Sequence, residues 1–147
     1  WAIAERGDAS AAGTVGDVLA NEKNPAVRAT AAWALGELEP KTAPRGLISA
    51  LTDDDERVRM TAAWALSEIG DAAALPALRT ALSRPATDRT RKAQIRALLE
   101  TGEDPDRLVE QLKSPDASVR AAVAQALAGK GHINPWPWPQ PRPRPFP

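Results

Sequence analysis

Apolar residues recur every three or four positions in two nearly identical segments of the chain. Residues 27–38 read VRATAAWALGEL, and residues 58–69 read VRMTAAWALSEI, 31 positions later. Five apolar side chains of the second segment share one face of a helical wheel: Val58, Ala62, Ala65, Leu66 and Ile69. This spacing predicts an amphipathic helix. Self-similarity at such a period predicts that several helical units stack into one array.

The same register can be followed along most of the chain. The opening WAIAERGD of residues 1–8 aligns with WALSEIGD of residues 64–71, so the chain begins midway through a repeat. A degenerate copy, TRKAQIRALLETGE, spans residues 90–103, and a shortened copy, VRAAVAQALAGKG, spans residues 119–131. We therefore expect an all-α protein, an α-solenoid of about four to five two-helix repeats over residues 1–131.

A shorter second helix is predicted after each long one. The related segments are RGLISAL at 45–51, LPALRTAL at 75–82 and RLVEQL at 107–112. Long helices should begin where a polar cap precedes proline, as at Asn24-Pro25 and Ser114-Pro115. The Gly70-Asp71 pair should mark the end of the long helix that contains residues 58–69. Because neither helix can cover its apolar face alone, neighbouring pairs should stack.

These residues carry a family resemblance. A cap-Pro-x-Val-Arg-x-x-Ala-Ala-Trp-Ala-Leu-Gly-Glu-Ile-Gly-Asp pattern, followed by a Leu-Pro-Ala-Leu helix, resembles the HEAT-like repeat, and more narrowly the short type named after phycobilisome lyases. The resemblance covers residues 1–131 and implies an α-solenoid. That family includes bilin-attachment enzymes, scaffolds and sensor domains appended to membrane peptidases. The chain departs from the pattern at Arg96, which replaces Trp, and at Glu39-Pro40, which replaces Gly-Asp.

Residues 132–147 form a different kind of segment. Proline occupies every odd position from Pro135 to Pro147, which excludes helix and sheet and predicts an extended polyproline-II tail. Aromatic and basic residues alternate with the prolines: Trp136, Trp138, Arg142, Arg144 and Phe146. Three interpretations stay open, namely a stiff spacer, a strand that docks in an aromatic or acidic groove, and an interfacial membrane anchor. We favour docking, because Trp and Arg often dominate interface energies.

Two ladders of side chains accompany the repeats. Equivalent acids, Glu5, Glu37, Glu68 and Glu100, follow Trp1, Trp33, Trp64 and Arg96 by four residues. In one interpretation the Trp rings pack between adjacent repeats and the glutamates are solvated. In the other, a strip formed by Trp33, Glu37, Trp64 and Glu68 binds a basic or aromatic partner, to which Arg142 and Arg144 would be complementary.

The second ladder consists of Arg28, Arg59, Arg91 and Arg120. We expect these arginines to pair with acidic loop residues of the neighbouring unit, such as Asp53, Asp54 and Asp55. Anion binding is the alternative.

Composition narrows the function further. The chain carries 19 basic and 19 acidic residues, whereas a nucleic-acid-binding protein usually has a basic excess. We therefore expect no nucleic-acid partner. It has no cysteine, and its one histidine, His132, cannot make a zinc site of ordinary composition by itself. No phosphate-binding loop or catalytic triad pattern is present. We therefore expect no catalytic residues, no metal and no cofactor.

The sequence thus predicts a non-catalytic scaffold or structural subunit for protein–protein interaction. Its tail would dock on a partner protein or on a neighbouring copy. The alternatives are an extracytoplasmic sensor or accessory domain of a larger bacterial membrane protein and, third, a bilin-lyase-like accessory enzyme. We expect a bacterial protein, and we favour an extracytoplasmic over a cytoplasmic location.

Overall fold

The computed structural model describes the backbone of residues 2–129 and the side chains of residues 10–129. Over this range the regular structure is helical. The α-helices are α1 (Ala2–Asn21), α2 (Pro25–Leu38), α3 (Arg45–Ser49), α4 (Glu56–Ile69), α5 (Leu75–Ala81), α6 (Asp88–Glu100), α7 (Pro105–Glu110) and α8 (Ala117–Gly129). Short 3-10 turns lie at Ala50–Thr52, Ala72–Ala74 and Gln111–Lys113. The predicted alternation of long and short helices is confirmed.

The helices form two layers. In the first layer α2, α4, α6 and α8 lie side by side in chain order, each packed against the next. In the second layer the short helices α3, α5 and α7, with their adjoining 3-10 turns, pack beside the long ones. Helix α1 packs against both α2 and α3. This arrangement is the α-solenoid that the repeats predict.

Side chains and backbone signals set the helix ends largely as expected. The Asn24 carboxamide accepts the backbone N–H of Ala26, with Pro25 in the first turn of α2. Gly70 ends α4 in the left-handed conformation, with φ of 70°. A side chain at that position would be strained, which is why glycine is favoured there.

The predicted helix start at Ser114-Pro115 is wrong. Helix α8 begins at Ala117, because the Asp116 carboxylate accepts the backbone N–H of Ser118 at 2.8 Å. The Ser114 hydroxyl instead accepts the N–H of Asp116 at 3.2 Å, within the preceding loop. Of the two polar residues near this start, the second therefore forms the cap.

The first helix also differs from the repeat pattern. The alignment places Gly7-Asp8 where Gly70-Asp71 ends α4, yet α1 continues without interruption from Ala2 to Asn21. The residues after Gly70-Asp71 include Pro76, which starts a new helix, whereas no proline follows Gly7-Asp8 until Pro25. The alanine-rich residues 9–12 favour continuation of the helix.

The core lies between the two layers and is built from leucine, alanine and valine. Four of the five apolar side chains predicted for the buried face of α4 are fully covered, namely Val58, Ala62, Ala65 and Leu66. Ile69 is partly buried against them. Leu35, Leu66 and Leu98 occupy equivalent positions in successive long helices and are each at most 1% exposed.

Candidate interaction surface

Arg28 joins two consecutive repeats. Its Nε and Nη2 atoms donate to the two carboxylate oxygens of Asp53 at 2.9 and 3.0 Å. Its Nη1 atom donates to the carbonyl oxygens of Glu22 and Lys23 in the loop before α2. The hydrogen bond to Asp53 raises the pKa of Arg28. The predicted pairing between repeats is therefore confirmed for this arginine.

The predicted pairing with an acid of the next repeat is wrong for Arg59, which holds its own loop in the same way as Arg28. Its Nη1 atom donates to the carbonyl oxygens of Asp53 and Asp54. The following loop, residues 83–87, reads Ser-Arg-Pro-Ala-Thr and contains no carboxylate. Arg59 pairs instead with Glu56 of its own helix, at 2.6 Å.

Glu56 then carries the connection to the next repeat. Its Oε1 atom accepts the backbone N–H of Thr87 and the hydroxyl of Thr90, each at 2.8 Å. These donors, the Thr87 backbone N–H first among them, lower the pKa of Glu56 to about 2. The carboxylate therefore stays ionised, as the ion pair with Arg59 requires.

Arg91 is completely buried and makes the largest set of contacts in the ladder. It donates to Asp116 at 2.8 Å and to Ser118 at 3.1 Å in the next repeat. It also donates to Gln94 and to the carbonyl oxygens of Ala81 and Arg84. Asp116, which accepts from Ser118 and Arg91, has a pKa lowered to about 2. Because Arg28, Arg59 and Arg91 are all engaged within the stack, the structure favours pairing over anion binding.

The two tryptophans of the predicted strip lie in different environments. The ring of Trp64 packs on Gly36 of the preceding long helix and is partly buried against the core. The interpretation that Trp packs between repeats is confirmed for Trp64. Trp33, at the equivalent position of α2, is 52% exposed.

The glutamates of the strip also differ. Glu68 is paired with Arg96, with 3.1 Å between Oε1 and Nη2. Glu37 is exposed and makes no side-chain hydrogen bond or ion pair to the described residues. Arg96 occupies the Trp position of its repeat, and its opposite charge was the sequence signal that could have identified it as a partner for Glu68. The structure thus leaves Trp33 and Glu37 as the open part of the strip.

Sequence reasoning did not identify a buried carboxylate at Glu103, which is 7% exposed. Arg79 donates to both of its oxygens, at 2.7 and 2.8 Å, and Asp104 N–H donates to it as well. The hydrogen bond from Arg79 is the main cause of its lowered pKa. This pair lines a small cleft of about 190 Å³ between α5 and α7. Nothing in the repeat pattern links residues 79 and 103.

Several predicted features lie outside the described part of the chain. His132 and the tail residues Trp136, Trp138, Arg142, Arg144 and Phe146 belong to this group, as do the side chains of Trp1 and Glu5. Within residues 10–129 no group of His, Cys, Asp and Glu side chains is arranged to hold a metal ion. None of the described helices combines the length and apolarity needed to cross a membrane.

Comparison with known proteins agrees with the architecture. A family model described as HEAT repeats matches residues 14–99, which is more than half of the chain. No curated protein matches the sequence. HEAT repeats commonly form scaffolds for protein interaction and are typically non-catalytic. The narrower resemblance to phycobilisome-lyase repeats stays a prediction. On the stacked helices and this match, the chain belongs to the HEAT-repeat family.

Proposed function

We propose that this chain is a non-catalytic scaffold or structural subunit that binds a basic or aromatic segment of another protein. The binding surface is the open part of the strip, Trp33 and Glu37 on α2. Trp64 and Glu68 on α4 are engaged within the stack. The observation that carries the proposal is a tryptophan that is 52% exposed one helical turn from a carboxylate with no partner among the described residues.

The chemistry of this pair fits a cationic side chain. Residues four apart on a helix lie on one face, so the Trp33 ring and the Glu37 carboxylate are available to the same ligand. An arginine could pair with Glu37 while its guanidinium plane stacks on Trp33. An exposed tryptophan also gives a partner a large apolar area to cover.

Three acids with lowered pKa values support a non-catalytic role. Glu56 is held by Thr87 and Arg59, Glu103 by Arg79, and Asp116 chiefly by Ser118. A displaced pKa often marks an active site, yet each of these three acids also has a bonding partner elsewhere in the stack, which for Asp116 is Arg91 of α6. These groups serve the fold.

The tail supplies the second half of the proposal. Arg142 and Arg144 alternate with proline, and the extended segment that this sequence predicts would lose little entropy on binding. Their charge is complementary to Glu37. We propose that the tail docks on a partner or on the strip of a neighbouring copy, with Trp136 and Trp138 as its apolar anchors.

A pull-down from the native source, read by mass spectrometry, tests both surfaces. The baits are the full chain, a version ending at Gly131, the Trp136→Ala/Trp138→Ala variant and the Glu37→Lys variant. Glu100→Lys is the matched control, because Glu100 holds the equivalent exposed position beside Arg96 instead of a tryptophan. We expect the partner to be lost with Glu37→Lys and retained with Glu100→Lys. Equal capture by all baits would remove the proposal.

A further inference from the structure

The two ends of the first layer present faces that the rest of the stack buries. In α4, Ala65 lies against Gly36 of α2, and Val58 and Ala62 share its face of the helix. Each of the three is 0% exposed. Their equivalents in α2, 31 residues earlier, are Val27, Ala31 and Ala34, which lie beside α1. In the described chain no other long helix of the first layer packs on them. Val27, the equivalent of Val58, is 40% exposed.

These α2 residues line an apolar groove of about 410 Å³. The lining side chains come from α1 and α2: Val15, Val18, Ala26, Val27, Thr30, Ala31 and Ala34. Because the same positions of α4 are covered by a long helix, the shape and chemistry of this groove suit a long helix of the same type.

The other end of the layer offers such a helix. On α8 the residues Ala124 and Ala128 are both exposed. Ala128 is equivalent to Gly36, which faces the next long helix in α2. Ala124 is equivalent to Ala32 and Ala63, which are 0% exposed where the next long helix covers them. The exposed side of α8 therefore matches the side that α2 presents to α4.

The charges at the two ends complete the match. Arg120 donates to the carbonyl oxygen of Ser114, six residues earlier, at 2.7 Å. Arg28 donates to the carbonyl oxygen of Glu22 in the same way, and in addition to Asp53 of the next repeat. Arg120 has no carboxylate partner among the described residues, since no described repeat follows α8.

Glu22 occupies the position in the loop before α2 that Asp53 occupies in the loop before α4, but it has no arginine partner among the described residues. It lies six residues before Arg28, as Asp53 lies six residues before Arg59. Its Oε1 atom accepts the N–H of Asn24 at 2.9 Å, just as Asp53 accepts the N–H of Asp55 at 2.9 Å. Asp53 also forms an ion pair with Arg28, whereas Glu22 has no ion pair with a described residue.

We propose that copies of this chain associate head to tail, with α8 of one copy seated in the α1–α2 groove of the next. Arg120 of the first copy pairs with Glu22 of the second, as Arg28 pairs with Asp53 inside the chain. Since the two surfaces differ, the contact does not close on itself as a two-fold dimer would, and assembly grows with concentration. The inference goes beyond the proposed partner-binding role, and its test substitutes none of the strip residues.

Sedimentation velocity of the full chain over a range of concentrations tests the contact. Wild-type protein should show an average mass that rises with concentration. Glu22→Arg and Arg120→Glu each place like charges opposite one another, and each should raise the concentration needed for assembly by about tenfold or more. Glu100→Arg and Arg89→Glu reverse exposed charges away from both faces and should behave as wild type.

An equimolar mixture of the two charge-reversed proteins gives the decisive result. In the mixture every Arg120 can meet Glu22, and every substituted glutamate at 120 can meet the substituted arginine at 22. Assembly should therefore return. A monomeric wild type at millimolar concentration, assembly indifferent to both reversals, or a mixture that stays monomeric would each overturn the proposal. None of these results affects the Glu37 pull-down, so the two proposals fail separately.

Discussion

The indole ring of Trp64 lies so close to Gly36 that a β-carbon on residue 36 would fall 2.4 Å from ring atom Cζ3. It would also fall 3.0 Å from the Cα atom of Ala65. Gly36 is buried in α2 and Trp64 belongs to α4, so the close approach of these helices depends on the missing side chain. Because the indole ring is rigid and the other atom belongs to the backbone, neither can move to make room for a β-carbon without a loss of stability.

Gly36→Ala should therefore destabilise the protein, although alanine is the better helix former. We expect the free energy of unfolding to fall by about 1–3 kcal/mol, as in other overpacked cores. Denaturant unfolding followed by circular dichroism measures it. Gly13→Ala is the matched control, because a β-carbon on Gly13 in α1 meets nothing within 4 Å. That variant should be neutral or gain up to about 1 kcal/mol. A gain at both positions would show that the ring does not rest on Gly36.

The two tryptophans should respond differently to truncation. Trp64→Ala removes a ring packed between α4 and α2 and should cost roughly 3 kcal/mol of unfolding free energy. Trp33→Ala removes a ring that is 52% exposed and should cost less than about 1 kcal/mol. Thermal and denaturant unfolding of both variants, compared under one set of conditions, gives the difference. Equal losses would contradict the distinction between a packing tryptophan and a surface tryptophan.

The sequence predicts the helices of this fold well because their signals are local. The apolar spacing of residues 58–69 and the glycine at 70 are sufficient to place α4 and its end. The 31-residue period then predicts that equal helices stack, which the packing of α2 on α4 confirms. Helix α8 begins later than predicted because two polar residues, Ser114 and Asp116, could each cap its N-terminus. The loop geometry determines which of them accepts the first backbone N–H of the helix.

The candidate surface was less predictable because identical segments face different neighbours. Trp33 and Trp64 both occur in the sequence AAWAL, yet Trp64 packs on Gly36 of the preceding first-layer helix, whereas Trp33 is 52% exposed. Likewise, the bond between Arg79 and Glu103 joins positions that no repeat spacing relates. Burial and pairing of this kind depend on the position of a repeat in the stack, and the sequence of a single repeat does not indicate that position.

Glu39 offers a stabilising substitution. It ends α2 in the left-handed conformation, with φ of 44° and ψ of 56°, where α4 has Gly70. A β-carbon makes this conformation unfavourable by about 1–2 kcal/mol. Glu39→Gly should therefore raise the free energy of unfolding by about 1 kcal/mol, the remainder being lost to the greater freedom of glycine in the unfolded chain. Glu39→Ala is the control that removes the charge and keeps the β-carbon. A gain in the alanine variant alone would assign the effect to charge.

Acid sensitivity should depend on Glu56, which links Arg59 to Thr87. The pKa of this carboxyl is lowered from 4.5 to about 2 in the folded protein. A lowered pKa contributes stability above the unfolded value, and the contribution is lost as the pH falls from about 4.5 toward 2. Because the side chain is 34% exposed, solvent screening reduces the effect to about 1 kcal/mol.

Glu56→Gln isolates this contribution, since glutamine can still accept the Thr87 N–H but cannot titrate. At neutral pH the variant should be about 1 kcal/mol less stable than wild type. As the pH is lowered through the same range, the difference should shrink toward zero, because wild type loses the ion pair with Arg59 while the variant has none to lose. Urea unfolding at a series of pH values measures both curves. Parallel curves would mean that Glu56 is not the group whose protonation weakens the contact between α4 and α6.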